Sequence, residues 1–343
     1  MKEQTQTNEQ TIKQRLTHEI RRELSREEPE TSASADTDRF TYTVTDQDVN
    51  MTVKLILKKR LGFSKRLLIR LKQGEGKVTR NGRKVRLFAD VIAGDVIQAE
   101  LPAERCHFIP QDIPIEAVYE DQDMLVINKQ PWVVVHPTMG HPTGTIANGL
   151  MKRMEERGEH FKIRFVNRLD RDTSGLMMVA KNSHCQDVMT KQMKSDSVTK
   201  KYLAVVHGII KEEAGTVDLP IGRKEPEDIR RCVMEDGYPS VTHYKVLRRF
   251  PEKADTPEWA AGGFTLLELR LETGRTHQIR VHMSHVGHPL AGDPLYGRQE
   301  PELIGRQALH AASLRFVHPV SGETVELAAP LPDDMEQLIQ KLK

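Results

Sequence analysis

Asn167-Arg168-Leu169-Asp170-Arg171-Asp172-Thr173-Ser174-Gly175 runs directly into the apolar stretch Leu176-Met177-Met178-Val179-Ala180. That stretch is bounded by Gly175 and by Lys181-Asn182-Ser183, which predicts a buried strand with the polar segment mounted as a loop on its edge. Two carboxylates, two guanidiniums and two hydroxyls within nine residues exceed the polarity a turn requires. Asp170 lies between Arg168 and Arg171, and neighbouring opposite charge favours the ionised carboxylate. Spacing alone leaves two readings open: a nucleophilic carboxylate, or a solvated turn with local ion pairs.

Outward from this loop the chain reads as mixed α and β. Met124 to Asn128 predicts a strand, followed by Lys129-Gln130-Pro131-Trp132, and Thr145 to Glu156 predicts an amphipathic helix through Ile146, Leu150 and Met154. Ser183 to Lys194 reads as a helix, and Lys200 to Gly208 as a strand with Tyr202 near its start. Alternation in Tyr238 to Leu247 and Phe264 to Leu271 suggests antiparallel strands joined by a long surface loop. Thr273-Gly274-Arg275-Thr276-His277-Gln278-Ile279-Arg280 is a turn entering a helix, with Thr276 as the expected N-cap. His277 and His282 lie five apart, on different faces, and no carboxylate or Cys completes a ligand set nearby, so no metal is expected. The fold class is α+β, with a mixed, mainly antiparallel sheet flanked by helices.

At 343 residues the chain has room for two or three domains. No apolar run approaches membrane-spanning length, and the start, Met1-Lys2-Glu3-Gln4, continues without an apolar signal region, so a cytoplasmic protein away from membranes is expected. Cys106, Cys185 and Cys232 are odd in number and scattered, which argues against a disulfide framework or a zinc site.

Charge is unevenly spread. Residues 1–38 hold six basic and nine acidic side chains and read as a mostly disordered tail, with a short helical option through Ile12, Leu16, Ile20 and Leu24. Between Met51 and Gln98, thirteen basic residues face three acidic ones, an electrostatic footprint for a phosphate backbone. Ser64 is the expected N-cap of a helix that buries Leu67, Leu68 and Leu71 and displays Lys65, Arg66, Arg70 and Lys72. Asn81-Gly82 is a hairpin signal. The pattern over residues 39–100 resembles the S-four-type RNA-binding module first known from a small-subunit ribosomal protein. Pro102, Pro110 and Pro114 mark residues 101–114 as a linker, and residues 115–343 form the larger domain.

The Arg168-Leu169-Asp170 triplet, the Thr173-Ser174-Gly175 that follows and the strand ending Val179-Ala180-Lys181 resemble the active-site motif of the RluA-type pseudouridine synthases. The Thr273–Arg280 segment resembles that family's Thr-Gly-Arg-x-His-Gln-Ile-Arg motif, and the likeness extends from about Glu116 to Pro332. Two positions depart from the pattern. Asn167 stands where the family usually has His, which keeps a positioning role but not protonation. Trp132 stands where it has a turn Gly, implying a different local backbone and an altered rim of the RNA cleft.

The resemblance implies an isomerase that breaks the N-glycosidic bond of uridine in RNA, turns the base and rejoins C5 to the ribose. Such chemistry requires neither redox change nor water addition, so no cofactor is expected. Asp170 would attack C1′ or take the C2′ proton, Arg275 would hold it ionised, and Tyr202 would stack on the uracil. Arg168 would fill the gap left by the extruded nucleotide, while Lys65, Arg66, Arg70 and Arg280 would bind RNA. Ribosomal RNA of the large subunit is favoured over transfer RNA, and the chain is expected to act as a monomer. Two rival readings are a non-catalytic RNA-binding protein and a glycoside-hydrolase-like enzyme with Asp172 as second carboxyl group.

Overall fold

The computed structural model describes residues 39–343 except 102, 103, 105, 226 and 253–261. The tail expected over residues 1–38 lies outside the described residues. The described residues from Arg39 to Lys343 belong to one compact unit.

The first part is a four-stranded antiparallel sheet of β1 (Arg39–Thr43), β2 (Lys77–Arg80), β3 (Arg83–Lys84) and β4 (Val96–Glu100), ordered β1-β4-β2-β3. Two helices, Val53–Lys59 and Lys65–Lys72, cover it and share a core with Phe40, Phe63, Val78 and Ile97. Ser64 caps the second helix, accepting from the Leu67 N–H at 3.2 Å. Asn81 and Gly82 take the left-handed backbone of a tight hairpin.

The remaining strands are β5 (Glu116–Glu120), β6 (Met124–Lys129), β7 (Arg164–Phe165), β8 (Ser174–Ala180), β9 (Thr199–His207), β10 (Ala214–Asp218), β11 (Ile221–Gly222), β12 (Cys232–Val233), β13 (Val241–Phe250), β14 (Phe264–Leu271), β15 (Leu309–Val317) and β16 (Thr324–Ala328). Ten of them form one sheet, β10-β13-β14-β9-β15-β8-β6-β5, with β16 on β15 and β7 on β8, while β11 and β12 pair apart as a small flap. Among the described residues every strand pairing in the large sheet is antiparallel except β15 with β8. The α+β expectation holds.

All seven residues of β8 are buried because both faces are covered. Met177 and Val179 point into the core under the helix Ile146–Arg157, whereas Leu176, Met178 and Ala180 face the core under the helix Ser183–Lys194. Gly175 opens the strand with φ +111°, and a Cβ there would fall on the backbone of Ala311 in β15. Only glycine permits that approach. The polar loop of residues 167–174 is thereby fixed at the one parallel junction of the sheet.

The connector is anchored at Ile109 and Gln111. The Asn148 side chain donates to Ile109 O at 2.8 Å, and the Gln111 N–H donates to Asn148 O at 3.2 Å, so the connector is bound along the Ile146–Arg157 helix. The first sheet packs against the large one through His184, whose ring lies 4.9 Å from Phe40 and 5.0 Å from Phe63. Burial pushes the His184 imidazole down to about 4. No helix among the described residues is long and apolar enough to cross a membrane.

Candidate active site

The loop before β8 is held from several sides. Asn167 Oδ1 accepts from the Met178 N–H at 2.8 Å, which is the positioning role left to an amide at this place. Lys129, fully buried at the end of β6, donates to the carbonyls of Gln130, Arg171 and Thr173 at 2.9, 2.8 and 2.9 Å. Burial pushes its ammonium down to about 7. Arg306, also fully buried, donates to the Asp172 carbonyl at 2.9 Å and grips Asp334 of the C-terminal helix with two bonds of 2.6 and 2.9 Å.

Asp170 emerges from this frame on the floor of a narrow cleft that Tyr202, Arg275, His277 and Arg280 also line. Its Oδ2 accepts from Arg280 Nη1 at 3.1 Å. Arg280 in turn chelates Asp293 at 2.7 and 2.8 Å, and both side chains are buried. Burial opposes the charge on Arg280, but its bonds to Asp293 and the charges of Asp293 and Asp170 push its proton affinity up. A cation that cannot dissociate therefore faces Asp170. Asp293 also accepts from the Leu295 and Tyr296 N–H groups, so the pair brings its own orientation. Tyr202 is buried on β9, and burial followed by the charge of Asp170 pushes its phenol up, leaving it protonated at neutral pH. His277 Nε2 lies 3.9 Å from Asp170 Oδ2, with burial pushing its imidazole down.

A match to the family model described as RNA pseudouridylate synthase spans residues 123–285. An uncharacterized RNA pseudouridine synthase of Bacillus subtilis, YjbO, is 44% identical over 282 residues, covering 82% of this chain and 95% of that one. The chain belongs to the RluA-type RNA pseudouridine synthases. The ribosomal large subunit pseudouridine synthase D of Escherichia coli O157:H7 is 42% identical over 268 residues, 74% of this synthase and 78% of that one. The solved structure of human RNA pseudouridylate synthase domain containing 1 has a TM-score of 0.51 and 31% identity, covering 67% of this synthase and 94% of that chain.

Geometry reassigns several of the expected roles. Arg275 was expected to pair with Asp170, yet no ion pair or hydrogen bond joins them. Its Nε donates to Pro239 O at 3.3 Å and its guanidinium lies over the Tyr238 ring. The reason is the left-handed turn at His277, φ +58°, which caps the helix Gln278–His285 in place of Thr276. Arg275 precedes that turn and is exposed, whereas Arg280 follows it and is buried. Arg280, expected on the RNA, is thus committed to two carboxylates inside the protein. Arg70, also expected on the RNA, is bridged to Glu75 and Glu104 at 2.7 and 2.8 Å. Lys65, Arg66 and Arg168 are exposed. Trp132 adopts φ +70°, the very conformation a turn Gly would take, so the backbone expected to differ does not. Its indole packs over Gly305, where a Cβ would sit 3.4 Å away, and that contact holds a conformation costing about 1–2 kcal/mol.

Lys129, Asp293, Arg306 and Asp334 were not assigned roles from sequence. Their signal, a charge bonded to groups distant in sequence, exists only after folding. Among the described residues, Asp121, Asp123 and His318 have metal-ligand spacing. His318 Nδ1 accepts from the Val320 and Ser321 N–H groups, so Nε2, 2.8 Å from Asp121 Oδ2, is the protonated nitrogen and has no lone pair for a metal.

Proposed function

We propose that this synthase isomerises uridine in large-subunit ribosomal RNA, with Asp170 acting at the ribose, and that it does so in the cytoplasm without metal or organic cofactor. The carrying observation is a carboxylate held 3.1 Å from a buried guanidinium that is itself saturated by Asp293. Arg280 thereby orients Asp170 in a confined cleft and supplies the counter-charge for attack on C1′ or removal of the C2′ proton. Breaking N1–C1′ and forming C5–C1′ moves one proton from C5 and puts one on N1, with no net gain or loss. Tyr202, kept a neutral phenol, offers the uracil a ring face but does not take the C5 proton as phenolate.

Recognition is assigned to the exposed charges. Arg168 lines both the Asp170 cleft and a groove of about 650 Å3 that reaches Arg66 on the Lys65–Lys72 helix, and this supports reading residues 39–100 as an RNA-binding module. The names of the 42%-identical relatives support a ribosomal target. The hydrolase alternative lacks its second carboxyl group, because Asp172 is bound bidentately by Arg171 at 2.8 and 3.0 Å and Asp293 by Arg280. Pseudouridine mapping of ribosomal and transfer RNA from cells with and without the gene tests the target. Tritium release from C5-labelled uridine tests the reaction. Loss of modification in transfer RNA alone would move the target, and release of abasic RNA would replace isomerisation by hydrolysis.

A further inference from the structure

We propose that Tyr238 and Arg275 form a stacking subsite for a base adjacent to the target uridine, with Arg231 placed for the accompanying phosphate. The inference rests on reading Asp170 as the reacting centre. A cleft of about 390 Å3 adjoins the Asp170 cleft, and Arg275 lines both. Whatever occupies the first is covalently continuous with whatever enters the second if the ligand is an RNA strand. The lining of the second cleft includes Arg231, Arg275 and Tyr238, and no carboxylate among the described residues.

Tyr238 is 69% exposed, a large aromatic surface left in water. The Arg275 guanidinium sits over its ring at 5.4 Å, which leaves the other face for a planar partner. The ring is carried on a rigid mount. The Tyr238 N–H donates to Ile221 O at 2.8 Å, the Ile221 N–H returns a bond of 3.0 Å, and Ser240 Oγ donates to Tyr238 O at 2.8 Å. Gly237 presses so closely on Ile221 that a Cβ would lie 2.7 Å from its carbonyl carbon. Arg231 is oriented by Nη1 bonds to the carbonyls of Asp228, Ile229 and Arg230, which direct the guanidinium without cancelling its charge. An aromatic face beside the guanidiniums of Arg231 and Arg275 is the chemistry that holds single-stranded RNA with little regard to sequence.

The test is a binding cycle by fluorescence anisotropy, using a labelled ten-uridine RNA and a ten-unit abasic ribose-phosphate strand. Wild type, Tyr238→Ala, Tyr238→Phe and Tyr238→Trp are compared after thermal unfolding shows each to be folded. Tyr238→Ala is expected to weaken uridine-strand binding by on the order of tenfold, while binding the abasic strand as wild type does. Phe and Trp should retain the preference for bases. Arg231→Gln should weaken both strands alike and reduce the salt dependence. Equal loss on both strands in Tyr238→Ala, no loss on either, or failure of Phe and Trp to keep the preference overturns the subsite. Failure of the Asp170 reading would show separately, as turnover surviving in Asp170→Asn.

Discussion

The floor of the Asp170 cleft and its two rims use the same residue type to opposite ends. Arg280 on the floor and Arg306 behind the Asp170 loop are buried, and each grips a carboxylate in two-point fashion. On the rims, Arg168 and Arg275 are exposed, and neither pairs with a carboxylate among the described residues. A buried charge pair is costly to break because removing one member strands the other. An exposed guanidinium loses little when replaced but is available to a phosphate or a base. We therefore propose that the buried arginines set chemistry and stability together and the rim arginines set affinity alone.

Breaking that division is most direct at the centre. Asp170→Asn is isosteric but not basic or nucleophilic, so tritium release should vanish while RNA affinity and melting temperature stay near wild type. Measurable turnover in a clean preparation would refute the assignment. Next in size is Arg280→Gln, which leaves Asp293 buried without its cation. A loss of about 3–5 kcal/mol in denaturant unfolding is expected, together with near-complete loss of turnover. Arg275→Gln should leave unfolding unchanged and raise the RNA concentration for half-maximal rate, and a comparable stability loss in both variants would erase the floor-and-rim distinction.

Acid sharpens the picture at the contact between the two sheets. His184 has a folded pKa near 4 because burial disfavours its charge. Between pH 6.5 and 4 the unfolded chain binds a proton that the folded chain does not, so stability falls as pH falls through this window and is fully present above it. The shift corresponds to roughly 3 kcal/mol. His184→Phe keeps the ring contacts with Phe40 and Phe63 and should flatten unfolding free energy over that range by about this amount. An unchanged pH profile would place the acid sensitivity elsewhere.

The smallest effect belongs to the outer rim. Neutralising Lys65 and Arg66 together should lower the slope of log K against log salt for a long structured RNA by up to about 0.9 per lost contact, with single-turnover rates at saturation little changed. Arg70 is left out, since Glu75 and Glu104 already discharge it. An unaltered slope would mean that this helix does not face RNA.

The sequence by itself determined whatever depends on neighbours along the chain. The apolar run of β8 announced a strand buried on both faces, Ser64 announced its helix, and Asn81-Gly82 its hairpin. The Asp170 loop was legible for the same reason: its polarity and its strand lie within fourteen residues. Only the tertiary structure decided which charges meet. Asp170 and Arg280 are 110 residues apart and Arg306 and Asp334 are 28 apart, and nothing in spacing ranks Arg280 above Arg275. A left-handed residue at His277 separates the two arginines into one that turns inward and one that stays in solvent. Trp132 gives the same lesson, because a conformation its side chain disfavours is held by a contact with Gly305, 173 residues away. Local preference is an energy of a few kcal/mol at most, and burial and charge pairing in the folded chain are large enough to override it.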